Sequence, residues 1–115
     1  MIYQKNNLVA MFALVFAACS SSPEPLELNL TATDIAYDIS NISATVSQNV
    51  SINFVNDGAL EHNFIIDEFD IDNLLKSGEN VAISFTPEKP GSYEFYCNVA
   101  GHLEAGMNGT LTVTE

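Results

Sequence analysis

Residues 91–114 run GSYEFYCNVAGHLEAGMNGTLTVT, and this stretch decides the fold prediction. In its first part apolar and polar side chains alternate, which places Phe95 and Cys97 on one face. Its last part alternates in the same way, with Leu111 and Val113 on one face. Alternation with a period of two is typical of half-buried β-strands. The stretch is therefore predicted to form two strands joined by a glycine-containing loop, with Cys97 pointing inward at the end of the first strand.

The same alternation recurs upstream, in three runs that turn sequences separate from one another. The runs are Leu26–Leu30, Val50–Phe54 and Val81–Phe85, and the turns are Asn56-Asp57-Gly58, Lys76-Ser77-Gly78 and Lys89-Pro90-Gly91. About seven to eight short strands with this spacing predict an all-β fold, a Greek-key sandwich or barrel. Ile35–Ala44 is compatible with a strand or an irregular edge, and Asp70–Lys76 with one or two helical turns capped by Asp70.

The charge balance of the chain is strongly acidic. The 115 residues, enough for one domain, include three Lys, no Arg and 15 acidic residues, for a formal net charge of −12. Such a surface repels phosphate backbones, so nucleic-acid binding is excluded. It would attract a basic protein partner or a cation. The alternative, that the charge only keeps an exported domain soluble, stays open.

The N-terminus resembles the signal of a bacterial lipoprotein. An early Lys5 precedes an apolar run from Leu8 to Ala18, which is too short to span a bilayer, and small residues lead directly into Cys19. The resemblance predicts a signal peptide over residues 1–18, a lipidated Cys19 with a Ser/Pro tether over residues 19–25, and a domain over residues 26–115. The alternative is an ordinary signal peptide, whose cleavage nearby would release a soluble protein.

A lipidated Cys19 predicts an extracytoplasmic protein anchored to a membrane by its lipid. We expect the periplasm-facing outer membrane, with the outer leaflet of the inner membrane as the alternative. The mature chain would then hold Cys97 without a disulfide partner. A lone thiol in an oxidising compartment is a liability unless something holds it, and a metal ion is the natural candidate.

Four side chains form a constellation suited to copper. Cys97 is followed after four residues by His102, and His102 after four residues by Met107, while His62 opens an upstream apolar run. A thiolate, two imidazoles and a weak thioether match the trigonal His₂Cys copper site with a long axial Met. Zinc accepts the same His and Cys ligands without redox function. Taken singly, each residue has a structural explanation, such as a small buried Cys in a core.

The motifs together resemble those of the cupredoxins, the small blue-copper proteins that include plastocyanin and the azurins. The resemblance runs from about Leu28 to Thr114 and is carried by three segments: Glu61-His62-Asn63-Phe64, Thr86 to Cys97, and Gly101 to Gly109. It implies one type 1 copper per chain, bound by His62, Cys97, His102 and Met107. It also implies that Asn63 ties the two ligand segments together. Electrons would pass through the edge of His102, near the surface among Ala100, Leu103 and Ala105.

This resemblance predicts an electron-transfer protein that shuttles single electrons between extracytoplasmic redox partners. Such partners would be a basic cytochrome or a membrane oxidase or reductase, and the carrier itself is expected to be a monomer. Four protein ligands leave no open coordination position, so we do not expect an enzyme. The alternative within copper biology is a periplasmic copper-binding and delivery lipoprotein. A metal-free β-sandwich lipoprotein is the third possibility.

Overall fold

A computed structural model describes residues 22–115, and within that range the chain is all β apart from one short 3₁₀ helix. The nine strands are β1 Leu26–Thr33, β2 Ala36–Tyr37, β3 Asn41–Thr45, β4 Val50–Asn56, β5 His62–Ile66, β6 Ile71–Leu75, β7 Asn80–Phe85, β8 Gly91–Tyr96 and β9 Asn108–Thr114; the 3₁₀ helix, η1, is Asp67–Phe69. The predicted all-β class is confirmed, with slightly more strands than expected.

The predicted signal peptide, Cys19 and the first part of the tether lie outside the described residues, so the domain boundaries stay predictions. Among residues 22–115, no helix has the length and apolar character needed to cross a bilayer.

The strands form two sheets that enclose one apolar core. One sheet has the order β2-β1-β4-β7 and the other the order β3-β9-β8-β5-β6. The pairs β1–β4 and β3–β9 are parallel, and the other pairs are antiparallel. The rings of Phe54 and Phe64, one from each sheet, lie 5.8 Å apart between centroids. Both side chains are fully buried, so the inward faces of the two sheets meet in this core.

The segment Asp70–Lys76 is not helical, which corrects the expectation of a helical turn there. Asp70 has φ 54° and ψ 40° and ends the preceding 3₁₀ helix. Residues Ile71–Leu75 then form β6, which pairs antiparallel with β5. Ile71 and Leu75 face the core side while Leu74 is 56% exposed. Apolar residues at positions 71, 74 and 75 also fit a helical spacing. The segment forms a strand because its backbone pairs with the edge of β5.

The second sheet brings the predicted ligands to one edge. His62 opens β5, Cys97 follows the end of β8, and Met107 precedes the start of β9. Strand β8 pairs antiparallel with both β5 and β9. Tyr96, the last residue of β8, pairs with Asn108 at the start of β9 and with Ile65 of β5. Because β5 runs antiparallel to β8, the chain after Tyr96 continues toward the start of β5. The start of β5 thus meets the loop from Cys97 to Met107, which lies far downstream in the sequence.

Candidate metal centre

The structure brings three of the four predicted ligands into one buried group, His62, Cys97 and His102, whose ligand atoms all lie within 4.8 Å of one another. The Nδ1 atoms of the two histidines are 3.2 Å apart, and Cys97 Sγ lies 3.5 Å from His102 Nδ1. His62 and Cys97 are fully buried and His102 is 4% exposed. Two ring nitrogens and a sulfur thus converge in a region shielded from water.

These distances fit one bound metal ion. Protein-bound zinc holds imidazole nitrogen at about 2.0–2.1 Å and thiolate sulfur at about 2.3 Å. Around one centre, at tetrahedral to trigonal angles, such donors lie about 3.3–3.8 Å apart. The observed separations of 3.2 and 3.5 Å are close to this range. Zinc also accepts these donors, but two His and one Cys with a Met nearby form the donor set of blue-copper sites.

Met107, the fourth predicted ligand, is fully buried beside this group. Its backbone N–H donates to the His102 carbonyl at 3.0 Å, and its carbonyl accepts the Cys97 N–H at 3.1 Å. The loop turns sharply at Gly101 and Gly106, whose φ angles are +84° and +95°. Backbone hydrogen bonds inside the loop therefore help to hold the three downstream ligands in place.

Asn63 joins the two ligand segments, as the resemblance implied. Its Nδ2 donates to Asn98 Oδ1 at 2.6 Å, and its Oδ1 accepts the Asn98 N–H at 2.9 Å. Nδ2 also lies 3.3 Å from Asp72 Oδ1. Asn63 is almost fully buried, so these bonds compete little with water. They fix the residue after His62 to the residue after Cys97.

Sequence reasoning missed Asp34, which contacts the far side of the His62 ring. Its Oδ1 lies 2.7 Å from His62 Nε2. An ionised carboxylate only accepts hydrogen bonds, so Nε2 carries the proton and donates. This bond, followed by one from the Ala59 N–H, holds the pKa of Asp34 below its usual value of 3.8. With Nε2 protonated, a neutral His62 presents its Nδ1 lone pair to the metal centre. No local pattern around Asp34 signals this role.

The sequence matches the family of cupredoxin-like domains over residues 7–113. This chain belongs to the cupredoxin-like family. Among its relatives, plastocyanin from Daucus carota is 33% identical over 100 residues, covering 76% of this cupredoxin and 99% of that protein. Auracyanin-A from Chloroflexus aurantiacus is 26% identical over 151 residues, covering 92% of each chain. The family match begins upstream of β1, inside the segment predicted to be a signal peptide.

A solved structure shows the same fold. Dithionite-reduced auracyanin from Roseiflexus castenholzii superposes with a TM-score of 0.71 at 22% identity, covering 81% of this cupredoxin and all of that chain. The His–Cys–His group of this cupredoxin can hold one copper ion, which agrees with the blue-copper relatives. The assignment of His62, Cys97, His102 and Met107 as its ligands stays a prediction.

The exposed residues on either side of His102 are mostly apolar, with Glu104 as the charged exception. His102 is 4% exposed, and the neighbouring Leu103 is 38% exposed. Ala100 and Ala105 are exposed as well. Leu60, in the loop before His62, is 47% exposed. The residues flanking His102 thus face solvent, while its ring is almost covered.

Proposed function

We propose that this cupredoxin is a blue copper protein that carries single electrons between extracytoplasmic redox partners and has no enzymatic activity. The observation that carries the proposal is the buried group of His62, Cys97 and His102, with Met107 beside it. When bound, copper supplies a one-electron couple. The protein's own contribution is to hold the donors in place and to exclude water.

Rigid donors suit electron transfer because a site that rearranges little between two charge states reacts quickly. The loop from Cys97 to Met107 is closed by its own backbone hydrogen bonds. Asn63 and Asn98 connect that loop to the start of β5. Thiolate and thioether suit Cu(I), while imidazole suits both states, so one arrangement serves both.

Burial of the donors favours a carrier over an enzyme or a copper-delivery protein. A catalytic site needs an open coordination position, and delivery needs ligands that a partner's ligands can reach. Here each of the four predicted ligands is at most 4% exposed. Exchange of copper with a partner would require the loop to open.

The location and the anchor are part of the same proposal. The apolar run and Cys19 support a lipid anchor facing the periplasm, on the outer membrane or the outer leaflet of the inner membrane. A tether restricts diffusion and raises the effective concentration near membrane-bound partners. Mass spectrometry of the mature protein tests this directly: a diacylated N-terminal Cys19 is expected, and an unmodified N-terminus at another residue would overturn the anchor.

A basic redox protein is the proposed partner class, such as a cytochrome or a membrane oxidase or reductase. The formal charge of −12 and the exposed acidic residues Asp67, Glu68, Asp70 and Asp72 support it. Electron transfer to a basic cytochrome should slow as salt is added, because screening weakens the attraction. A rate independent of ionic strength would contradict this partner class.

The copper proposal is tested by titrating the purified protein with Cu(II) while recording its visible absorption spectrum. An intense blue band that saturates at one copper per chain and vanishes in Cys97→Ser is expected. A reversible one-electron couple would then separate a carrier from a site that binds only Cu(I). Absence of a band that depends on Cys97 would overturn the blue-copper proposal and favour copper delivery or a structural role.

A further inference from the structure

Asp34 reaches the metal centre from the opposite sheet. It directly follows β1, whereas His62 opens β5 in the other sheet. Its Oδ1 accepts the His62 Nε2–H at 2.7 Å and the Leu60 N–H at 3.2 Å, and its Oδ2 accepts the Ala59 N–H at 2.8 Å. The carboxylate therefore holds both the His62 ring and the loop that leads into it.

The loop is shaped to permit this contact. A Cβ atom at Gly58 would lie 2.9 Å from His62 Nε2 and would overlap Asp34 Oδ1. A side chain at position 58 would therefore force the carboxylate or the imidazole to shift. The Gly58 N–H donates to Asn56 Oδ1 at 2.9 Å, and the Gly58 carbonyl accepts the Ser77 hydroxyl at 2.6 Å. The loop is thus fixed from three sides around the pair of Asp34 and His62.

We propose that Asp34 is a positioning residue of the copper site, one that orients the His62 ring and makes it a stronger donor to Cu(II) than to Cu(I). This inference rests on the proposed blue-copper function. A carboxylate that accepts the second ring N–H of a ligating histidine fixes the ring and raises its basicity. The carboxylate of Asp34 lies 2.7 Å from His62 Nε2, so its negative charge acts on the ring at short range.

A more basic ring and a nearby negative charge both favour the more highly charged metal state. Loss of such a partner typically weakens metal binding about 10–100-fold. We expect Cu(II) binding to suffer more than Cu(I) binding when the Asp34 charge is removed. The Cu(II) dissociation constant should rise about tenfold more than the Cu(I) dissociation constant. This corresponds to a rise of about 59 mV in the reduction potential.

The experiment compares Asp34→Asn with wild type and with Asp38→Asn, using the copper-loaded protein. Asp38 is a matched control because it also accepts a backbone N–H, that of Thr31 at 2.8 Å, and the substitution removes the same charge. None of the side-chain hydrogen bonds found among residues 22–115 joins Asp38 to the predicted ligands. Asp34→Ala removes both the charge and the acceptor. The reduction potential, the visible spectrum and the Cu(II) dissociation constant are measured for each protein.

The expected result is a higher potential and weaker Cu(II) binding in both Asp34 variants, with Asp38→Asn close to wild type. Equal potentials for Asp34→Asn and Asp38→Asn would overturn the inference. If Asp34→Ala fails to fold, Asp34→Asn alone decides, because its amide oxygen can still accept from His62. A wild-type protein without a blue band would instead overturn the proposed function. A blue wild type with equal potentials overturns only the role of Asp34.

Discussion

Replacing Asn56 with alanine is expected to lower the free energy of unfolding of the copper-free protein by about 3 kcal/mol. Asn56 ends β4 and is fully buried. Its Nδ2 donates to the carbonyls of Leu60 at 2.8 Å and Leu75 at 3.0 Å, and its Oδ1 accepts the Gly58 N–H at 2.9 Å. One side chain therefore closes the loop that delivers His62 to the metal centre.

The magnitude follows from these three bonds. Each contributes about 1 kcal/mol net, and the buried Leu75 carbonyl left unpaired adds to the cost of removing them. For a domain of about 60–100 residues, each 1 kcal/mol shifts the unfolding temperature by about 4–8 °C. Asn56→Ala is thus expected to melt about 12–24 °C below wild type. Copper binding should weaken as well, because the His62 segment loses its support.

The assay is urea and thermal unfolding of the copper-free protein, followed by circular dichroism. Asn53→Ala is the matched control: Asn53 lies on the same strand, is exposed, and donates to Asn29 Oδ1 at 3.1 Å. It is expected to change stability by at most about 0.5 kcal/mol. A loss below about 1 kcal/mol in Asn56→Ala would refute the reasoning, since the three bonds together would then contribute less than the amount expected for one.

Three further predictions concern other parts of the domain. Burial raises the pKa of Tyr37 above its usual value of 10.0, so the unfolded chain loses this proton first. The free energy of unfolding should therefore fall above about pH 10, by up to about 1.4 kcal/mol per pH unit. The fall should be less steep in Tyr37→Phe. Urea unfolding that gives the same dependence on pH for both proteins would contradict this. A Cβ at Gly109 would overlap the Phe95 ring and the Ser40 carbonyl, so Gly109→Ala should cost about 1–3 kcal/mol, and an unchanged melting temperature would exclude that clash. Met107→Leu should stay within about 1.5 kcal/mol of wild type in urea unfolding yet lose copper more readily to a chelator; wild-type copper retention would argue against Met107 as a ligand.

Residues close in sequence made much of the fold predictable. Alternating side chains identified the strands β1, β4, β7, β8 and β9, because a two-residue period reports a half-buried strand directly. The same period placed Cys97 on the inward face. The strand Ile71–Leu75 was not predicted, because its apolar spacing also fits a helix. Its backbone pairing with β5 makes it a strand. Strand pairing joins residues that are distant in sequence, so a short stretch of sequence does not reveal it.

The predicted ligands of the metal centre could likewise be found from residue types and local spacing. Cys97, His102 and Met107 lie in one loop whose spacing is visible in the sequence, and with only two histidines in the chain His62 was the remaining imidazole.

Sequence by itself therefore determined the all-β class, the strongly acidic surface and the copper-type donor set, because these depend on composition, period and local spacing. Only the tertiary structure decided that Asp34 and Asn56 support His62. Asp34 lies in the turn between β1 and β2 of the other sheet, 28 positions before His62. The packing of the two sheets determines which residue Asp34 contacts. The residues next to Asp34 in the sequence give no information about that contact.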